Sequence, residues 1–481
     1  MFKLIKMKKH FFKAIIFSLV MLVGAGCDDF GDINVNPNNP VSVSPATLLT
    51  NVLRSIDGNV LNNETTELYV QHLSSTQYSD GSRYVTINFD FNGIYTGALA
   101  DLQHIIDLNT DEATKDDALS GGSNANQIAV ARILKSYFYN IVTDAWGPVP
   151  YTEALQGRAL FNPSYDDQET IYNGLFSELK AAVAQMDGGP GVEGDFLFGG
   201  DMDKWEKFAN TLRMIYALRL SEVDPGKAQS EFTDALNAGV ITEDVLYPYL
   251  AESNNQNPWF ADFITRTDWA ISLPLVDVMK PLDDPRLSAY ADPAPNFGDV
   301  RGMPYGISNA GDIPNDDISF PGFPAVRGQD APLAIVTVSQ VKFSMAEAAV
   351  RGWISQDAEQ LYYDGIKASM ERWEVYSDAE YNAYIAQPGV AWDANNAIEL
   401  IATQKWIALY TQGYEAWAEW RRLDLPMLTP APDALNQSRQ IPVRYGYPTS
   451  ERDANGASYD AGVALLGGED GLDTHVWWDV E

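Results

Sequence analysis

The segment QKWIALYTQGYEAWAEWRRLDLP, Gln404–Pro426, carries Trp406, Tyr410, Tyr414, Trp417 and Arg421 at steps of four, four, three and four residues. Residues three and four apart share one face of a helix. The stripe therefore predicts helices over 395–411 and 413–422, with large rings turned towards a core or a neighbouring helix. A chain that commits so much aromatic surface to helical faces is building its interior from packed helices.

The same spacing extends outward in both directions. From Pro45 onward, Leu48, Leu49, Val52, Leu53 and Ile56 fall on one helical face. Further helices are expected at 93–108, 126–142, 168–186, 203–221, 227–238, 345–354 and 357–374. Asn162-Pro163-Ser164 and Ser355-Gln356-Asp357 read as helix starts. Helices of this length joined by short turns predict a mainly helical, all-α fold of packed helix pairs. No strict 34-residue tetratricopeptide repeat is present. Residues 243–335 break the pattern with runs such as ESNNQNPW and NAGDIPNDDISFPGFP. A loop section this long inside a helical protein is expected to carry function. The last forty residues have the same texture.

The N-terminus addresses the chain to a membrane. Lys3, Lys6, Lys8, Lys9 and Lys13 precede an apolar run, Ala14 to Val23, which is too short to span a bilayer of about 20 residues. That is the layout of a signal peptide over 1–26, with Met7 an equally good start. Gly24, Ala25 and Gly26 lead into Cys27, the only cysteine. The run GAGC resembles a bacterial lipobox, with Gly24 where leucine is usual, and implies a lipid on Cys27. Two or more acyl chains would anchor the protein stably. Residues 27–44, rich in Asn, Asp and Pro, read as a tether, and 45–481 as one helical domain with a loop-rich insert at about 243–335.

Charge narrows the partners. Removing residues 1–26, which hold five lysines and no acid, takes the formal charge from −34 to −39. Such a surface repels nucleic acid and anionic lipid. A single cysteine leaves the fold without disulfides, so the core alone must hold it.

Chemistry-bearing motifs are sparse. His72, His104 and His475 are far apart, without HExxH spacing, and no nucleophile elbow or Walker sequence occurs. No catalytic residue, metal site or cofactor is assigned. Asp312, Asn315, Asp316 and Asp317 offer oxygens to calcium but lack EF-hand spacing, and a solvated loop is the simpler reading. The loop aromatics stand out instead. Trp259, Phe260, Trp269 and Tyr305 lie in the irregular section, and Tyr78, Arg83 and Tyr84 in the polar run QYSDGSRY. Flat rings stack on the C–H faces of sugars, while nearby Asn, Asp and Arg take the hydroxyls. These seven residues are the candidate ligand contacts, for sugar or for peptide. The competing reading is that they plug their own loops.

Specific blocks give a family resemblance. Arg132–Ala154 (RILKSYFYNIVTDAWGPVPYTEA), Lys204–Leu220, Gln404–Pro426 and Ile441–Asn455 each resemble blocks of the SusD/RagB family, in family order. Asp284-Pro285-Arg286-Leu287, Ala346–Trp353 and the closing VWWD fit as well. Ser339-Gln340-Val341 departs from the family, where an aromatic–acidic pair is common, and bears on where that helix starts. The resemblance implies a tetratricopeptide-like helical scaffold and a non-catalytic lipoprotein at the cell surface of the outer membrane, as in Bacteroidetes. It implies a SusC-like TonB-dependent transporter as partner, and oligosaccharides as cargo. Peptide capture and, from another class, a lipid-anchored glycoside hydrolase remain the alternatives. The blocks are scaffold, so no ligand contact is carried over from them.

Overall fold

Side-chain caps set the first turns of six long helices in the computed structural model, which describes residues 43–480. The expected signal peptide, Cys27 and nearly all of the tether lie outside the described residues. The long helices are α1 (Pro45–Ile56), α2 (Ala100–Thr110), α3 (Asn124–Trp146), α4 (Gln168–Gln185), α5 (Met202–Arg219), α6 (Pro225–Ala238), α7 (Val338–Val350), α8 (Ala358–Arg372), α9 (Ala397–Ala408), α10 (Gly413–Leu423) and α11 (Gly456–Leu466). Ser123, Asp167, Asp201, Asp224, Thr337 and Asp357 each accept a backbone N–H from the first turn that follows them. Each such cap is worth about 1 kcal/mol.

Neighbouring helices pack in pairs, α3 on α4, α5 on α6 and α7 on α8. One close approach shows how tight this is. A Cβ on Gly365 of α8 would lie 2.6 Å from the Phe343 ring of α7, so only glycine fits. Strands are few and short: β1 (Leu73–Ser75), β2 (Val149–Pro150), β3 (Tyr165–Asp166), β4 (Val245–Tyr247), β5 (Trp269–Ile271) and β6 (Leu333–Val336). They form antiparallel pairs β1–β5, β2–β3 and β4–β6. The first pair ties the chain after α1 to the loop-rich section, with Ser75 opposite Trp269. Among the described residues no helix is long and apolar enough to cross a membrane.

The aromatic stripe lands where its spacing predicts. Trp406, Tyr410, Trp417 and Arg421 are buried. Trp406 Nε1 donates to the Val70 carbonyl at 2.9 Å and Trp417 Nε1 to the Pro442 carbonyl at 2.8 Å. Arg421 lies 3.8 Å over the Trp417 ring and donates to the carbonyls of Asp144 and Val443. Burial pushes its guanidinium down to about 10, against the pull of Asp479 and Asp144.

The opposite side of α10 carries charge into the core. Glu419 accepts from Arg219 of α5 (2.5 Å), Lys405 of α9 (2.7 Å) and Arg422 (2.8 Å). Arg219 also reaches Glu415 at 2.7 Å, and Arg422 reaches Glu347 of α7 at 2.7 Å. Burial acts to raise the Glu419 carboxyl, yet Arg422, Lys405 and Arg219 together hold it well below the usual range. Glu347 is likewise lowered: Arg422 outweighs its burial. Glu415 goes the other way, pushed up by burial despite Arg219.

Three expectations about elements change. The helix expected at 345–354 begins at Val338, because Thr337 caps it by accepting the Gln340 N–H at 3.2 Å. Gln340, within the departure from the family pattern, sits inside that helix and donates to Glu415 at 2.8 Å. Asn162-Pro163-Ser164 does not start α4: Ser164 N–H bonds the Glu153 carboxylate, and Asp167 is the cap. The last forty residues include a full helix, α11, whose small residues gave no clear stripe.

Removing one partner from a buried ion cluster strands the others, at a cost of about 3–5 kcal/mol. Arg422→Ala should therefore lose that much in urea unfolding. Arg132→Ala, which breaks the part-exposed pair with Glu178, should lose about 1 kcal/mol or less. Glu347 and Glu419 are lowered on folding, so their stabilisation is present above about pH 4.3 and disappears as pH falls through their folded values. The urea midpoint should drop steeply below about pH 4, and less steeply in Glu347→Gln.

Candidate ligand-binding surface

Four segments distant in sequence meet at one edge of the molecule. The turn Gly81–Arg83 closes the loop that carries Tyr78. Thr76 holds this loop against the insert, its N–H bonding the Asp268 carbonyl and its hydroxyl the Thr267 carbonyl. Asn315 Nδ2 donates to the Thr267 hydroxyl at 2.8 Å, bringing in residues 311–317. Arg83 Nε donates to the Asp433 carbonyl at 2.9 Å, and the Asp433 carboxylate accepts the Ser308 N–H at 2.7 Å. The Ser308 N–H, with help from Arg83 and Arg439, holds that carboxyl below its usual value.

Tyr78 is the open ring of this edge, 63% exposed, with the Arg266 guanidinium 5.2 Å from its centre. Arg266 in turn pairs with Asp268 at 2.5 Å. Trp269 is half-buried in β5 and meets Trp259 edge-on, with centres 6.2 Å apart. Phe260 is half-buried in the short helix Pro258–Phe263, which Asn257 caps. Arg83 is half-buried and serves to clamp the loop.

The other three candidates belong to the core, which corrects the expectation that they offer a face to ligand. Tyr84 is 1% exposed and left-handed at φ 64°, and it accepts the Ala431 N–H. Burial pushes its phenol up to about 12. Tyr305 donates to the Leu68 carbonyl at 2.6 Å, and its hydroxyl oxygen lies 3.3 Å from that of Tyr84. Trp259 is 2% exposed. The loops are long enough to need an interior, and these rings fill it.

The short helix divides two environments. Trp259 and Phe263 face Trp269 and Phe320. Pro258, Ala261 and Asp262 line a polar cleft with Asp57, Tyr249 and Asn254 on its other walls. Tyr249 donates to Asp57 at 2.6 Å, yet burial keeps the Asp57 carboxyl raised. Asp262 is raised as well, by burial and then by Glu64, Asp268 and Asp57. This cleft, Arg266 and Ile264, 60% exposed, had no signal in sequence periodicity. Only the polar composition of ESNNQNPW marked the region.

Among the described residues no group of three His, Cys, Asp or Glu side chains stands together as a metal site. Asp317 accepts from Asn296 Nδ2, and the Asp316 carbonyl accepts the Asn296 N–H. His72 lies buried between Glu67 and the Trp406 carbonyl.

Comparison places this architecture. A family model described as SusD-like, "Starch-binding associating with outer membrane", matches residues 37–448. The chain therefore belongs to the SusD-like family. No curated protein matches it. Among solved structures it is similar to a chitin-binding protein, at 29% identity and TM-score 0.80, covering 91% of this chain and 100% of that one. It is also similar to a chitin-binding SusD homolog from Flavobacterium johnsoniae, at 25% identity and TM-score 0.76, covering 91% and 99%. A SusD homolog from Parabacteroides distasonis matches at 26% identity and TM-score 0.78, covering 90% and 98%.

Trp259→Ala removes a buried indole and should cost about 3–5 kcal/mol in chemical denaturation. Tyr78→Ala, at an exposed ring, should change stability by about 0.5 kcal/mol or less.

Proposed function

We propose that this protein captures oligosaccharides at the cell surface and passes them, chemically unchanged, to a TonB-dependent transporter in the outer membrane. The observation that carries the reading is the exposed Tyr78 ring, with the Arg266 guanidinium over it and half-buried Trp269 on the strand paired with Ser75. It sits on loops that a rigid helical frame holds in place. Such a ring stacks on a sugar's C–H face, and the surrounding Asp, Asn and Arg groups take its hydroxyls. Family membership supports carbohydrate as the ligand class, and the two chitin-binding relatives make β-linked N-acetylglucosamine oligomers the first to try. Cys27 is the proposed lipid attachment, and the segment after it gives the binding body freedom to swing over a partner.

Purified protein should retard on affinity gels containing glycol chitin and release no reducing ends from it. Tyr78→Ala should weaken binding by roughly 1 kcal/mol, about fivefold, with an unchanged thermal midpoint. Retention by a peptide array but by no glycan would replace sugar with peptide as cargo. Product release abolished by one carboxylate substitution would replace binding with catalysis. Cys27→Ser should move the protein out of the membrane fraction.

A further inference from the structure

The loop-rich section at 243–335 holds 14 acidic and five basic residues. Each of the five bases already pairs with a carboxylate of the same section. Arg266 pairs with Asp268, Lys280 and Arg301 both with Asp299, Arg286 with Asp284, and Arg327 with Asp292. The surplus is all negative. Asp262, Asp312, Asp316 and Asp317 form no ion pair among the described residues, although Asn296 donates to Asp317.

That surplus surrounds the candidate surface. Asn315, between Asp312 and Asp316, is bonded to Thr267, and the 311 turn lies against Gln77, beside Tyr78. Exposed Asp433 clamps Arg83 from the other side. The Arg83 guanidinium, on the same rim, is thus within electrostatic reach of a carboxylate. An anionic ligand arriving at Tyr78 would meet an excess of carboxylates, with Arg266 already paired to Asp268 and Arg83 and Arg439 facing Asp433. A protein with net charge −34 repels it from further away as well.

Resting on the glycan-capture reading, we infer that this site selects its glycan by charge. It takes uncharged saccharides and those bearing free amines, and it rejects uronates and sulfated sugars. Exclusion by like charge discriminates without any attractive contact to the chosen ligand. An amine-bearing chain gains a screened attraction, and an uncharged chain neither gains nor loses.

The test compares four probes against the purified protein by calorimetry: chito-oligosaccharide, its deacetylated form, oligogalacturonate and a sulfated oligosaccharide. The expected order at low salt is deacetylated, then uncharged, with the two anionic probes at least roughly tenfold weaker. Added salt should weaken the deacetylated probe and leave the uncharged one unchanged, since screening acts only on charge. Asp312→Lys combined with Asp316→Lys should erase the amine preference and admit oligogalacturonate, with the thermal midpoint unaltered. Anionic probes binding as tightly as the uncharged one would overturn charge selection and leave glycan capture standing. Failure of every saccharide, whatever its charge, would overturn both.

Discussion

The Glu419 carboxylate is the point on which the scaffold depends. Three cations from three helices converge on it, Arg219 from α5, Lys405 from α9 and Arg422 from its own helix. Through Arg422 the network continues to Glu347 of α7. A charge buried this deeply is tolerated only because its partners are present and placed. The helices that supply those partners are held to one arrangement around α10. Apolar packing alone would accept small slides between helices, but an ion cluster of this kind does not. Asp144 extends the restraint to α3 and α4, accepting from Tyr172 at 2.5 Å and from Trp478 at 2.9 Å. The chain's final segment is thereby tied to its centre.

Much of this was legible in sequence. The stripe from Trp406 to Arg421 has a helical period, and burial follows period. Ser355-Gln356-Asp357 gave a correct start because Asp357 does accept from the first turn of α8. What periodicity could not supply was the charged side of α10. Glu415, Glu419 and Arg422 look like a solvated face, since burial of an acid depends on cations that come from far away in the chain. The N-terminal end of α7 was hidden for a similar reason. Gln340 is polar but buried, its Nε2 donating to a glutamate 75 residues on.

The ligand surface was less legible. The sequence places aromatic residues in loops and leaves two readings open, a ring free for ligand or a ring plugging its own loop. The insert is large enough to have its own interior. Ala270, Met303, Ala310 and Ile318 form a separate apolar cluster in it, while Tyr305 and Trp259 join the main core. No local pattern separates a ring that fills such an interior from one that faces outward. Tyr78 and Tyr84 lie six residues apart in one polar run, yet one is open and the other buried. The difference lies in Ala431, Leu68 and Tyr305, none of which is close in sequence.

Three of the five ion pairs within the loop section run over short distances along the chain. Asp268 with Arg266, Asp284 with Arg286 and Asp299 with Arg301 are each two residues apart. The insert pairs its five cations with its own carboxylates, while two of its acids reach the frame, Asp244 to Arg372 of α8 at 3.8 Å and Glu243 to Lys204 of α5 at 3.6 Å. Arg286 is its main bolt to the frame, through Ser369 of α8 and Gln404 of α9. A segment whose cations find their partners within itself behaves as a cassette. Its residues supply none of the three cations on Glu419, so the helices beneath hold their register without it.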